Sequence, residues 1–401
     1  MSRLGGALLL GVAVTAAAVA FSSRPLGVVG VGLLVAAGTS RLWARSVGTA
    51  TAVRQVAIPS PAVEGSRVRL VVEAKLRSRM PVASSVLKGS LGRIGRYECR
   101  LRGRGRTFAG SIDLGRVPRG RFPFSDARLV LGDHLGLETV TLPVDAPGAI
   151  VVHPRLVELS ALFSEAGRQG SDGRRLMLRR PAGFGLHSVR EYEQGESLRR
   201  VHWPTTARRG QLMVKELDDA PRDAVVVLLD CDPSGDVGDP PDSSFDAAVR
   251  AAGSIVRVYA ARGRRSTLVT TSASPAAVNV CSLDGDFRAV LDTLAAVEPD
   301  AGHPLRRALA HDDARVARAG ELVVVTATLD PASLRALVAA ATRQLLSVVW
   351  VDAPSHAGRP TPTLPGLLQL TAAGVPVAVV RRGADLAAAL DSARPSAHAH
   401  G

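Results

Sequence analysis

The chain has 401 residues, 46% of them hydrophobic and only 3% aromatic, and carries a formal net charge of +14 at pH 7. That apolar fraction supports packed cores and excludes a wholly disordered polypeptide. The basic charge is almost entirely arginine, because lysine occurs only at Lys75, Lys88 and Lys215; it favours anionic partners, and does not choose between nucleic acid and anionic lipid.

Leu4 to Phe21 is an uncharged apolar run, about 27 Å long as a helix and so close to the thickness of a hydrocarbon core. A second run extends from Leu26 to Ser40 and reaches Trp43 if Arg41 snorkels to the headgroups. The break Ser22-Ser23-Arg24-Pro25 predicts a hairpin loop, so residues 1–46 read as two antiparallel membrane helices. Arg3, Arg41, Arg45 and Arg54 flank the hairpin against Arg24 alone in its loop, which puts both ends in the cytoplasm. A cleaved leader ending near Ala18-Val19-Ala20 is the rival reading, and the second segment would still hold the soluble part inside. Gly27, Gly30 and Gly32 then serve close helix packing, and a dinucleotide loop is excluded by context.

From Val53 to about Pro147 the pattern changes to short, one-face-polar runs punctuated by glycine and proline: Val68 to Ala74, Tyr97 to Leu101, Thr107 to Leu114, Ala127 to Leu131 and Leu137 to Leu142. Such runs predict a small β-sandwich over residues 47–150. The arginine-dense stretch Arg93 to Arg106 predicts contact with anionic lipid headgroups. Nucleic acid is disfavoured, because the aromatic platforms that single strands need are scarce. Glu165 to Arg180 is charged and glycine-rich, and reads as an exposed linker.

Residues 151–220 hold that linker and the densest segment of the chain, Leu186 to Glu216. Val189, Glu191 and Glu193 alternate with Arg190, Tyr192 and Gln194 at strand period, and Gly195 suits a turn. Ser197 to Trp203 reads as an irregular or helical turn stopped by Pro204, and Gln211 to Leu217 returns as a strand, giving a strand–turn–strand unit. Arg190, Arg199 and Arg208 among Glu191, Glu193 and Glu196 predict ion pairs around a buried Tyr192 and Trp203, and a partner-docking surface is the alternative. A buried Trp203 predicts that Trp203→Ala costs roughly 3 to 5 kcal/mol.

The run Arg190-x-Tyr192-x-x-Gly195-Glu196-x-x-Arg199-x-x-His202-Trp203-x-x-Thr206-Ala207-Arg208, followed by Leu212-x-Val214-Lys215-Glu216, resembles the signature of the domain of unknown function 58 family of bacterial proteins. Glu196 stands where that family usually has Asp. Upstream, Arg119-Gly120-Arg121-Phe122 and Asp133-His134-Leu135-Gly136-Leu137 look like two further family elements, with His134 in place of the usual Pro. The resemblance extends over most of the chain. It implies a scaffold or binding role beside an AAA+ ATPase of the MoxR type, in the assembly or maturation of envelope proteins.

Residues 221–394 alternate apolar strands with helices. The strands are Ala224 to Asp230, Ser266 to Thr270, Leu322 to Val325, Leu346 to Val351 and Val375 to Val380; the helices are Phe245 to Arg262, Phe287 to Val297, Leu305 to Arg318, Pro331 to Arg343 and Ala384 to Ala393. This predicts a doubly wound α/β domain with a parallel sheet, and residues 395–401 read as a disordered tail. The turn Asp230-Cys231-Asp232-Pro233-Ser234 resembles the metal-binding turn of von Willebrand factor A domains, with Asp232 where a Ser is usual. Asp230, Asp232 and Ser234 would suit weak magnesium binding, but Thr326-Ala327-Thr328 in a later loop lacks the expected acid, so no occupied metal site is expected. Read plainly, the turn caps the helix beginning near Ser243.

Three widely spaced cysteines, Cys99, Cys231 and Cys281, exclude a disulfide framework and read as small buried hydrophobes. No Walker loop, zincin helix or nucleophile elbow occurs, and His187, His202 and His311 have no partner at diagnostic spacing. The expectation is therefore a multidomain, membrane-anchored cytoplasmic binding protein without catalytic residues or cofactor. The competing expectation is a metal-dependent hydrolase or nuclease built on Asp230 and Asp232.

Overall fold

The structure is a computed structural model, and it describes residues 2–48, 50–77, 80–145, 147–166, 186–191, 203–217, 225–360 and 365–391. The chain divides into two compact units, Met1–Arg155 with Leu294–Val297, and Leu156–Thr293 with Glu298–Gly401.

The first unit opens with α1 (Arg3–Ala20) and α2 (Arg24–Ser46), both long and apolar enough to cross a membrane. Ser2 caps α1 by accepting from the Gly5 N–H at 3.1 Å, and Pro25 sits in the first turn of α2, where its missing N–H costs nothing. Helix contact depends on glycine. A Cβ at Gly30 would lie 2.8 Å from the Thr15 backbone nitrogen, and one at Gly11 would lie 3.0 Å from the Leu34 side chain. The expected packing role falls on Gly30, whereas a Cβ at Gly32 would meet nothing within 4 Å.

Beyond the hairpin lie β1 (Ala50–Ile58), β2 (Ala62–Val63), β3 (Arg67–Leu76), β4 (Ser84–Leu91), β5 (Gly95–Arg104), β6 (Thr107–Arg116), β7 (Gly120–Pro123), β8 (Ser125–Gly132), β9 (Thr139–Pro143) and β10 (Ala149–His153). Seven of them form one antiparallel sheet, β1-β3-β6-β5-β4-β8-β9, and β2-β10-β7 form a second. The large sheet curls at β5, which pairs with β4 from Gly95 to Leu101 and then with β6 from Arg102 to Arg104. The crossing needs glycine, because a Cβ at Gly103 would sit 2.1 Å from the Thr107 carbonyl oxygen and one at Gly110 would sit 2.3 Å from that of Arg100. Alternate residues Val68, Leu70, Val72, Ala74 and Leu76 of β3 point inward with Leu87, Cys99, Leu129, Phe122 and Ile150, so both sheets share one core with Trp43 and Val47. The expected runs did not include β1 and β4, whose alternation is diluted by Ala, Ser and Gly, the short β2 and β7, or β10, whose apolar residues Ile150 to Val152 are continuous and do not alternate.

The second unit carries α3 (Phe163–Ala166), β11 (Leu186–Glu191), α4 (Trp203–Arg209) and β12 (Met213–Leu217), then β13 (Val225–Leu229), α5 (Ser244–Ala261), β14 (Ser266–Thr270), β15 (Ala277–Val280) and α6 (Phe287–Ala296), whose last turn from Leu294 is counted with the first unit. There follow α7 (Leu305–Arg307), α8 (Ala314–Arg318), β16 (Glu321–Thr326), α9 (Pro331–Ala341), β17 (Leu345–Val351), α10 (Ala353–His356), α11 (Pro365–Ala372), β18 (Val377–Val380) and α12 (Leu386–Leu390). The six-stranded sheet runs β15-β14-β13-β16-β17-β18, parallel throughout except for the antiparallel edge strand β15. Val226, Leu228, Val324 and Val348 pack with Leu309, Leu337 and Leu370 of the later helices. The intervening strand residues face the other side by the pleat, and α5 lies against β13, β14, β16 and β17.

Three expectations are corrected here. The helix expected over Leu305 to Arg318 is broken by a π-helical turn at Ala308–Asp312 and restarts where Asp313 accepts from the Arg315 N–H at 2.8 Å. The sheet is mixed, because the antiparallel β15 was not foreseen. Cys281 is exposed just after that edge strand, whereas Cys99 and Cys231 are buried as expected.

Candidate functional site

Strand β13 is apolar over its whole length and buried on both faces, so the first polar residue after it, Asp230, emerges at the C-terminal edge of the sheet. The strand order turns between β13 and β16, which makes this edge the crevice where open α/β sheets hold ligands. Asp230 is only 4% exposed and is held by three hydroxyls from two neighbouring strand ends. Thr326 Oγ1 donates to Oδ2 at 2.7 Å, Thr328 Oγ1 reaches the same oxygen at 3.2 Å, and Thr271 Oγ1 donates to Oδ1 at 3.3 Å. The Thr271 hydroxyl is itself oriented, because it accepts from the Cys231 N–H at 2.9 Å. Loop 301–302 closes over the same turn, with Ala301 N–H donating to the Cys231 carbonyl and Gly302 N–H to that of Thr271.

Burial pushes the Asp230 carboxyl above the ordinary carboxylate range; the Thr326 hydroxyl opposes that shift, Asp232 adds to it, and Thr328 and Thr271 pull it back. Burial likewise pushes the Cys231 thiol up to about 12, with Asp230 reinforcing the effect. That thiol is no nucleophile at neutral pH. Asp232 is engaged locally: its Oδ1 accepts from the Ser234 N–H at 2.9 Å and the Ser234 hydroxyl at 2.8 Å, capping the short turn Pro233–Gly235.

Thr271 and Thr328 turn their hydroxyls to Asp230 and Ser234 turns its own to Asp232, so a cation at this turn would have to replace those bonds before the same oxygens could face it. The turn does not cap α5, whose Ser243 caps it directly by accepting from the Asp246 N–H at 3.1 Å, so that part of the expectation is corrected. Thr271 was not foreseen, because only strand pairing brings residue 271 beside residue 230. Its one signal in the sequence is a hydroxyl pair directly after an apolar strand.

The signature segment is reached in part. Arg190 lies in β11 opposite Val214 of β12, and the two strands pair antiparallel. Trp203, Ala207 and Arg208 lie on α4, which ends where Gly210 adopts φ of +69°. Pro204 stands inside the first turn of α4 and does not stop it; of the turn expected over Ser197 to Trp203 only Trp203 lies among the described residues, which here read strand, helix, strand. Trp203 is 65% exposed, against the expected burial, and Ala207 and Arg208 are exposed as well. Tyr192, Gly195, Glu196, Arg199 and His202 lie outside the described residues, as does the tail from 395.

A second feature of the same sheet edge is a cavity of about 230 Å³ lined by Arg250, His356, Arg381 and Arg382 among others. Arg381 stands 3.5 Å from Asp352, and Arg382 Nη1 donates to the His356 carbonyl at 3.2 Å.

Comparison with known proteins finds a similarity that falls within this unit. Residues 188–371 match the family described as "Protein of unknown function DUF58". The match starts at the signature, covers somewhat under half of the chain and includes the Asp230 turn; Arg119 to Phe122 and Asp133 to Leu137 fall outside it. The "Uncharacterized protein YeaD" of Bacillus subtilis (strain 168) is 26% identical over 225 residues, 56% of this chain and 54% of that protein. The match thus spans about half the length of that curated relative. A solved structure, "Cwp6 from Clostridium difficile", aligns over 84% of this chain and 38% of its own with 10% identity and a TM-score of 0.16, too low to bear on the fold.

Proposed function

We propose that this chain is a membrane-anchored scaffold whose soluble units lie in the cytoplasm and whose α/β unit docks a protein partner. Its N-terminal helices form the anchor, its curled sheets are a variant β-sandwich, and its α/β unit is a von Willebrand factor A-like domain with a degenerate metal turn. The observation that carries this reading is the state of Asp230. At the edge where such a sheet holds its ligand, the carboxylate is occupied by threonine hydroxyls, which suits a rigid binding edge better than a metal-activated reaction. The exposed Trp203 and Arg208 on α4 supply the residue types that anchor protein interfaces. The partner we propose is a MoxR-type AAA+ ATPase.

The test is affinity purification of the detergent-solubilised full chain with an ATP analogue present. Co-elution of an AAA+ ATPase, lost with Trp203→Ala or Arg208→Glu, supports the scaffold. An eluate without it, together with divalent-metal-dependent hydrolysis that Asp230→Asn abolishes, would favour the enzyme.

A further inference from the structure

Among the described residues, the charged and apolar groups at one end of the first unit are arranged around α2 in a way that the scaffold role does not explain. Arg24 and Arg41 stand at opposite ends of the apolar part of that helix. At 1.5 Å per residue they are about 26 Å apart, close to the roughly 30 Å of a hydrocarbon core, so a spanning α2 brings Arg41 to the membrane boundary. The turn between β8 and β9 is fastened at that same depth. Arg41 Nη1 meets Glu138 Oε1 at 2.6 Å, and the buried Ser40 hydroxyl donates to Asp133 Oδ2 at 2.5 Å. One turn further on, Trp43 Nε1 donates to the Pro81 carbonyl at 2.7 Å.

The turn itself is built to be rigid. The Glu138 N–H donates to Asp133 Oδ1 at 3.1 Å, the Gly136 N–H donates to the Asp133 carbonyl at 3.3 Å, and Gly136 takes φ of +67°. These bonds hold Leu135 at the tip, 55% exposed, with His134 exposed beside it. Strand register puts two further loops at this end of the sheet. Gly132 lies opposite Ser84, Ser85 opposite Leu101, and the Leu76 N–H donates to the Arg106 carbonyl at 2.8 Å. Arg77, Arg102 and Arg106, all exposed, therefore share the rim with Leu135, while Arg45 projects from the last turn of α2.

We infer that this rim rests on the bilayer that the helices span, with Leu135 inserted at the level of the upper acyl chains and the arginines meeting lipid phosphates. The inference rests on the anchoring reading. A single apolar tip ringed by cations is the composition that interfacial elements use, apolar groups taking the acyl boundary and guanidinium groups the anionic headgroups. Its effect would be to fix the orientation of the first unit on the membrane.

The experiment uses the full chain in nanodiscs of phosphatidylcholine and phosphatidylglycerol, on a Cys281→Ser background that removes the exposed thiol. An environment-sensitive fluorophore is attached in turn at Leu135→Cys, at Val12→Cys in the middle of α1, and at Ile58→Cys. Ile58 is exposed at the opposite end of β1, about 26 Å along the strand from Ala50. The expected result is a blue-shifted Leu135 probe quenched by lipids brominated high on the acyl chain, a Val12 probe quenched by deeper bromines, and an Ile58 probe that bromine does not affect. Quenching at Val12 without quenching at Leu135 would overturn the inference and leave the anchor standing. Quenching at Leu135 and Ile58 alike would overturn it too, since the unit would then lie on its side. No quenching at any position would remove the anchor, and the inference with it.

Discussion

Asp230 and Cys231 show how burial and a few hydroxyls set the chemistry of one turn. Because burial raises the folded-state pKa of Asp230, its unfolded form ionises first, near the ordinary value of about 4. The stability it contributes is therefore greatest below that pH, and falls as pH rises toward the folded value. Urea unfolding of the detergent-solubilised chain should show the wild type losing stability relative to Asp230→Asn as pH rises above the ordinary carboxylate value of about 4. A flat difference would mean that the carboxyl is not shifted. Cys231, pushed up to about 12, and the buried Cys99 should resist maleimide while the exposed Cys281 is labelled. Mass spectrometry of the folded chain should find a single adduct, at residue 281. Exposure also reverses the expectation for Trp203. Little cavity can open beneath a side chain that is 65% exposed, so Trp203→Ala should change stability by no more than about 0.5 kcal/mol, measured by the same unfolding curves.

At the level of elements, two places depend on a missing side chain. In the hairpin, Gly30→Ile would drive a side chain into the Thr15 backbone, whereas Gly32→Ile adds one where a Cβ meets nothing. Overpacking of that kind costs about 1 to 3 kcal/mol, so thermal melting in detergent should fall for the first variant and hold for the second. In the curled sheet, Gly103→Val would force β5 and β6 apart at their crossing, because its Cβ falls 2.1 Å from a carbonyl oxygen. Circular dichroism should report loss of the native sheet signal, and a native spectrum would show that the strands can shift without cost. The elements with strong periodicity were legible in the sequence: both apolar helices, the buried strand β13 and the amphipathic α5 begin and end within a few residues of expectation. Those with weak or broken periodicity were not, β1 and β15 among the strands and the π-interrupted stretch between α7 and α8 among the helices. In the signature segment, Pro204 looked like a stop because proline ends helices from within. It also starts them, and which applies depends on where the preceding turn begins.

On the scale of the whole molecule, composition determined much. The apolar fraction, the two long uncharged runs at the N-terminus, and the change from short alternating strands to alternating strands and helices are properties of residue order alone. They were enough to announce two apolar helices, an antiparallel region and an α/β region, because burial patterns at periods of 2 and 3.6 are local. The motif at Asp133 to Leu137 could likewise be read as a unit, but not its purpose. Only the folded chain brings Ser40 to Asp133 and Arg41 to Glu138, across more than ninety residues. The same holds at Asp230. The sequence presents an acidic turn with a metal-like spacing, whereas the pairing of β13 with β14 and β16 delivers Thr271, Thr326 and Thr328 to its carboxylate. Residue order fixes which segments are apolar and at what period. Which polar groups meet at a sheet edge is decided by strand order and register, and those are set by contacts between segments far apart in the chain.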